Sequence, residues 1–189
     1  MIFLRRKKKM AGRLDIAITG LCPGCGATHL AISLATYLVH AKKLKVGIMS
    51  RETDYDCLLD NSCRLKPWGF VKNNICFVRY CENIDEDFDC MIVDFGEGFG
   101  GRKEEFFRCG KRIVVADLTA WKQQSLTGHI AKYGINKDNI YLYAFGDKKA
   151  AAVFFRRLHI KLRPIPREDN ALVIDGANFG FYESLIKIE

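Results

Sequence analysis

The sequence predicts an α/β domain with a mostly parallel central sheet and helices on both faces. Short apolar runs alternate with helical patterns along the 189-residue chain, and this alternation is typical of repeated βαβ units. A glycine-containing loop joins the first apolar run to a helix that begins near Ala27, and a later apolar run, Cys90–Asp94, ends in a carboxylate. We therefore expect a single domain over residues 14–189, preceded by a basic segment at residues 1–13.

The spacing of apolar residues places the individual elements. Continuous or alternating apolar runs predict strands, and apolar residues that recur every three or four positions predict helices. The predicted strands are 14–19, 45–49, 75–80, 90–94, 112–116, 140–145 and 162–165. The predicted helices are 27–42, 55–60, 103–109, 122–133, 148–158 and 182–188. The strands at 14–19 and 90–94 should be adjacent and central, because both are short, apolar and followed by loops at the same edge.

The composition argues against a membrane-spanning chain and favours reduced thiols. Apolar residues make up 49% of the sequence, enough for a sizeable core, and no run reaches the roughly 18 apolar residues of a membrane helix. Eight cysteines are scattered through the chain, and the apolar part of the first residues is too short for a signal peptide. We therefore expect a cytoplasmic protein with free thiols rather than a disulfide framework.

The net charge of +8 is concentrated near the start of the chain. Five consecutive positive side chains lie at Arg5–Lys9. A basic arm of this kind attracts DNA or an anionic membrane. The plainer interpretation is a disordered tail or an over-extended start, with Met10 as the true first residue.

The loop after the first strand has the features of a phosphate-binding loop. It reads Gly20-Leu-Cys-Pro-Gly-Cys-Gly-Ala-Thr28 and lies between a predicted strand and a predicted helix. In such a loop the backbone N–H groups and the partial positive charge of the helix N-terminus hold a phosphate, and a Thr hydroxyl binds Mg²⁺. The expected nucleotide-binding residues are Gly24, Cys25, Gly26, Ala27 and Thr28.

This loop resembles that of the MinD/ParA-like P-loop ATPases. Their deviant phosphate loop has the form Lys-Gly-Gly-x-Gly-Lys-Thr, and Cys22–Thr28 matches two of its three glycines and its Thr. Cys22 and Ala27 stand at the two lysine positions, and Pro23 replaces a glycine and removes one N–H donor. The resemblance is therefore to a degenerate member of that family.

Three further motifs follow in the order of the family. Asp89–Gly96 resembles the buried strand whose terminal carboxylate, here Asp94, orients Mg²⁺ through water, followed by a glycine-containing switch. Cys109–Thr119 resembles the family's next strand. Arg163–Asp169 resembles its last strand and Ile-Pro-x-Asp turn, which implies a position near the nucleotide base. The residues that this places near the base are Pro164, Pro166 and Asp169.

The resemblance implies a regulatory or positioning protein whose nucleotide state controls dimerisation and attachment to DNA, membrane or an assembly. It implies ATP and Mg²⁺ as cofactors, and a homodimer, a protein partner or an assembly as interaction partners. The expected location is the cytoplasm, with peripheral membrane attachment through the basic arm. The missing lysines predict a pseudo-ATPase with weak nucleotide binding and negligible hydrolysis.

Two alternative functions stay open. An active ATPase with a rearranged site would need positive charge from Arg51 or from a partner. A thiol or metal protein would use Cys22 and Cys25, a Cys-x-x-Cys pair at a helix N-terminus, where thiol pKa values fall. Against the second alternative, both cysteines are also small enough to be simple fillers of the loop.

Overall fold

A nine-stranded sheet lies at the centre of the computed structural model, which describes residues 13–50, 55–79, 84 and 86–187. The strands are β1 (Leu14–Gly20), β2 (Val46–Ser50), β3 (Arg64–Lys66), β4 (Gly69–Lys72), β5 (Ile75–Val78), β6 (Cys90–Glu97), β7 (Lys111–Asp117), β8 (Asn139–Phe145) and β9 (Leu162–Pro164). The helices are α1 (Ala27–His40), α2 (Lys103–Arg108), α3 (Gln124–Tyr133), α4 (Lys148–Leu158) and α5 (Phe179–Ile186), with short 3₁₀ turns at Tyr55–Leu58, Gly98–Gly101 and Gly176–Asn178. Within these ranges no helix is long and apolar enough to cross a membrane.

The two strands that carry the predicted site lie next to each other in the middle of the sheet. The strand order is β3-β4-β5-β2-β6-β1-β7-β8-β9, and all neighbours from β5 to β9 in this order are parallel. Ile18 of β1 and Ser50 of β2 both pair with Asp94 of β6. The predicted α/β fold and the central position of these strands are therefore confirmed.

Helices cover both faces of the sheet because successive side chains of each strand point to opposite sides. Ile16 and Ile18 of β1 belong to a core that also holds Leu34 of α1 and Tyr182 of α5. Ala17, between them, belongs to a second core. The helix residues of the second core are Phe106 of α2, Leu126 of α3 and Phe154 of α4.

The range 64–78 holds a β-hairpin that the sequence did not predict. β3 and β4 form an antiparallel hairpin, and β4 pairs antiparallel with β5. This pairing of β4 with β5 requires glycine at position 69. Gly69 has a φ of +151°, and a Cβ there would lie only 2.0 Å from the carbonyl oxygen of Phe77. Trp68, Phe70 and Phe77 are buried, as expected for core aromatics.

The other element boundaries mostly agree with the prediction, and α4 agrees at both ends. The helix expected from residue 122 begins at Gln124, and the short helix expected at 55–60 is a 3₁₀ turn that ends at Leu58. The C-terminal helix, expected at 182–188, begins three residues earlier, at Phe179. The basic arm, Arg51, Tyr80 and the end of the last predicted helix lie outside the described residues.

Candidate functional site

The candidate site lies where parallel strands end, at the edge of the sheet from which the loop after β1 emerges. This is the edge at which parallel α/β sheets bind ligands. Two positions in the loop require glycine: Gly24 has φ +69° and Gly26 has φ +91°. A Cβ at Gly26 would also lie 3.1 Å from the Cβ of Ala144 in β8. The loop therefore keeps the tight backbone path that its sequence predicted.

The N-terminus of α1 presents backbone donors to the loop. The hydrogen bond from Leu30 N to Gly26 O, 3.0 Å long, closes the first turn of the helix. The first N–H groups of an α-helix have no partner within the helix, and Gly26, at the capping position of α1, has no side chain that could cap them. The first turn is thus arranged to receive an anion.

Thr28 and Asp94, the predicted Mg²⁺ pair, are in direct contact. The hydroxyl of Thr28 donates to Oδ2 of Asp94 at 2.6 Å, and the carboxylate is fully buried. Hydroxyl and carboxylate oxygens are ligands that Mg²⁺ takes, and the Thr28 oxygen keeps lone pairs for a metal while its proton is donated to Asp94. The contact therefore fits a Mg²⁺ site, and the role of the pair as Mg²⁺ ligands stays a prediction.

Tyr55 is a neighbour of Asp94 that sequence reasoning missed. Its hydroxyl lies 3.5 Å from Oδ2 of Asp94, at the outer limit of a hydrogen bond. Burial first, and then the charge and hydrogen bond of Asp94, raise the pKa of Tyr55 well above its ordinary value. The residue lies in the least regular stretch of the sequence, where no motif singles it out.

Asp94 also holds the end of β6 and, through it, the segment that follows. Its second oxygen, Oδ1, accepts a hydrogen bond from Gly96 N at 3.0 Å. The buried hydroxyl of Thr19 donates to Gly96 O at 3.1 Å and accepts from Phe99 N at 3.0 Å. The carboxylate therefore connects the start of α1 to the backbone of the segment after β6.

The segment Gly98–Gly101 forms a left-handed turn. All four residues have positive φ, between 51° and 73°, and Phe99 is the one that is not glycine. Its buried ring packs against Phe106, His129 and Tyr133 at centroid distances of 4.8, 5.4 and 5.3 Å. This aromatic packing offsets the cost of the left-handed conformation at Phe99.

Cys22 and Cys25 are free thiols that fill space in the loop. Cys25 is buried, and its Sγ lies 2.5 Å from the position that a Cβ on Gly20 would take. Burial, and then the neighbouring Cys25, raise the pKa of Cys22 above its ordinary value. Across the described part of the chain, no group of three or more His, Cys, Asp or Glu side chains could hold a metal ion. These features favour the interpretation of both cysteines as small fillers.

Lys122 reaches the phosphate loop, a contact that the sequence did not predict. Its Nζ donates to Pro23 O at 3.1 Å and lies 3.3 Å from Oδ2 of Asp117, at the end of β7. The sequence predicted only that a helix begins at Lys122. The contact with Pro23 joins positions 99 residues apart, and no local pattern could have indicated it.

The predicted base-proximal turn lies after β9, three strands away from β1 in the sheet. Pro164 is the last residue of β9, and Asp169 is 91% exposed. Between them, the buried Glu168 accepts hydrogen bonds from Asn178 Nδ2 at 2.9 Å and from the Tyr182 hydroxyl at 3.4 Å. These contacts hold the C-terminal segment, and the position of Pro164, Pro166 and Asp169 near a base stays a prediction.

The fold is that of ParA-family ATPases. The chain is similar to a putative plasmid partition protein from Borrelia burgdorferi B31 that was crystallised with AMPPNP, with a TM-score of 0.58 at 14% identity over 92% of this chain and 97% of that one. It is also similar to a ParA family ATPase from Chlorobium tepidum TLS, with a TM-score of 0.55 at 12% identity over 84% and 86% of the two chains. No family model matches the sequence, and no curated protein matches it.

Proposed function

We propose that this chain is a ParA/MinD-like nucleotide-binding regulator that binds ATP weakly and hydrolyses it negligibly. The observation that carries this proposal is the Thr28–Asp94 contact at the start of α1, beside a loop with two left-handed glycines. A hydroxyl, a buried carboxylate and a helix N-terminus are the parts of a Mg²⁺–phosphate site that do not depend on lysine. The similar Borrelia protein carries AMPPNP, which supports a nucleotide as the ligand.

Cys22 and Ala27 are the reason to expect weak ATP binding and negligible hydrolysis. Each stands where the phosphate loop of the MinD/ParA-like ATPases has a lysine. Each charge-assisted contact to phosphate contributes about 1.5–3 kcal/mol. Without an ammonium group at these positions, the charge that develops on the terminal phosphate in the transition state is poorly compensated. Binding should therefore persist better than hydrolysis.

The regulatory side of the proposal follows from Asp94. One carboxylate oxygen holds Thr28 and the other holds Gly96, so a Mg²⁺ ion bound at this pair would be connected to both the start of α1 and the end of β6. We propose that this connection lets the bound nucleotide control association of the chain with a second copy or with a protein assembly in the cytoplasm. The basic arm at residues 1–9 would add attachment to DNA or to an anionic membrane surface.

A nucleotide titration of the purified chain tests the proposal. Calorimetric titration with ATP should give weak, saturable binding that is tighter with Mg²⁺ than without it, and phosphate release should stay at the background rate. Thr28→Val removes the hydroxyl at nearly constant volume and should abolish the Mg²⁺ dependence. Robust ATPase activity, or ATP affinity identical with and without Mg²⁺, would overturn the proposal.

Deleting residues 1–9 tests the attachment role separately. The melting temperature should not change, and binding to DNA or to anionic vesicles should weaken most at low salt, where screening is least. An equal loss at low and high salt, or a marked loss of stability, would contradict an electrostatic arm.

A further inference from the structure

Lys122 lies beside the loop in which both expected lysines are missing. Its Nζ contacts Pro23 O at 3.1 Å and lies 3.9 Å from the position of a Cβ on Gly24. Cys22, which stands at the first lysine position, is the neighbour of Pro23 in sequence, and its thiol feels the positive charge of Lys122. A side chain from the β7–α3 connection therefore brings a cation to the place where the loop has lost its own.

The surroundings hold this cation in position without burying it. Asp117 accepts hydrogen bonds from Thr119 N at 2.9 Å and from the Thr119 hydroxyl at 2.6 Å through Oδ1, which leaves Oδ2 facing Lys122. Burial alone raises the pKa of Asp117, but the hydrogen bonds from Thr119 and Lys122 outweigh burial and bring it below its ordinary value. The carboxylate is thus ionised and anchors Lys122.

The ammonium group retains the capacity to bind a further ligand. It has three N–H donors, and its contacts with Pro23 O and Asp117 account for two of them. The side chain of Lys122 is 34% exposed, whereas that of Asp117 is 4% exposed. Solvent, and therefore a soluble anion, has access to the ammonium but scarcely to its carboxylate partner.

We propose that Lys122 is a phosphate-binding residue that replaces, from another element, a lysine missing from the loop. The ligand class is a nucleoside polyphosphate, so this inference rests on the proposed function. On binding, the Lys122 ammonium would direct its remaining N–H to a phosphate oxygen while Asp117 keeps the side chain oriented. The replacement is partial, because Asp117 neutralises part of the charge that a loop lysine would present.

Substitution of Lys122 tests the inference. Lys122→Gln should weaken ATP and tripolyphosphate binding by about tenfold, the scale of one charge-assisted contact, and should reduce the dependence of affinity on ionic strength. Affinity for adenosine should not change, because adenosine has no phosphate. Lys122→Arg should retain most of the affinity. Lys132→Gln, which removes an exposed charge near the other end of α3, is the matched control and should have no effect.

The outcomes separate this inference from the proposed function. If the unmodified chain binds neither ATP nor tripolyphosphate, both are wrong. If it binds both ligands and Lys122→Gln binds them equally well, Lys122 is not a phosphate ligand and only this inference fails. If Lys122→Gln weakens adenosine and ATP binding in the same proportion, or if it clearly lowers the melting temperature, Lys122 braces the loop and the inference is wrong.

Discussion

The loops that follow the two central strands differ in what they have kept. The loop after β1 keeps its glycine conformations and its helix start, but small side chains stand where lysines are expected. The end of β6 and the segment after it keep several contacts: Gly96 to Asp94, Phe99 to Thr19 of β1, and the Phe99 ring in an aromatic cluster. One loop has lost side-chain charge, while the other is fully supported.

This difference separates two requirements of a nucleotide-dependent protein. In the function that we propose, backbone donors and the Thr28–Asp94 contact would sense a bound phosphate and metal, and the end of β6 would respond because the same carboxylate holds it. Lysines would add affinity and stabilise the transition state. A chain with the first set and without the second would keep the parts for signalling and lack most of the means of turnover.

The largest effect on stability is expected in the Gly98–Gly101 turn. Phe99→Ala should lower the free energy of unfolding by about 3–5 kcal/mol, because it removes a fully buried aromatic ring from its cluster. Urea denaturation measures the loss. Phe145→Ala, at a ring that is 48% exposed, is the control and should change stability little. Similar losses in both variants would mean that the segment after β6 has no special support.

The next effect concerns the carboxylate shared by both loops. Asp94→Asn weakens two hydrogen bonds to a buried charge and should cost about 1.5–3 kcal/mol of stability. It should also abolish the Mg²⁺ dependence of nucleotide binding. Asp147→Asn is the control, since Asp147 caps α4 and Asn caps equally well. Unchanged Mg²⁺ dependence in Asp94→Asn would separate the two loops functionally.

Restoring a lysine to the loop sharpens the comparison directly. Ala27→Lys should tighten ATP binding by about tenfold or more, as measured by calorimetry, because it adds one charge-assisted contact. The site is demanding, since Ala27 is 7% exposed and the new side chain must extend toward solvent. No gain in affinity would indicate that Pro23 holds the loop in a shape that a lysine cannot use, and that the loop has only a structural role.

The smallest effect is expected for the two loop thiols. Changing both Cys22 and Cys25 to Ser should alter phosphate or nucleotide affinity by less than about twofold, or about 0.4 kcal/mol, because both act as small fillers. Consistent with this, the raised pKa of Cys22 should make it slow to react with iodoacetamide near neutral pH. Loss of a bound metal or of a reversible redox transition in the double variant would revive the thiol interpretation.

The features of this fold that could be predicted are those that leave a local pattern in the sequence. The boundaries of α4 follow from its apolar spacing and from Asp147, whose side chain accepts from Ala150 N, and Thr28 and Asp94 follow from their places after apolar strands. The hairpin β3–β4 was missed because its three- and four-residue strands are too short to show a period and depend on Gly69 fitting against Phe77. Lys122 and Tyr55 reach the site through tertiary contacts alone, and such contacts leave no trace in sequence spacing.

The short edge strands of the sheet have a consequence for solubility. An open strand edge is a template on which other chains can add strands and aggregate. Here β3 exposes Arg64 and Lys66 on either side of the exposed Leu65, so a strand approaching that edge meets two like charges. At the opposite edge β9 ends in Pro164, which has no N–H to offer. Both open edges of the described sheet are therefore poor templates for a further strand.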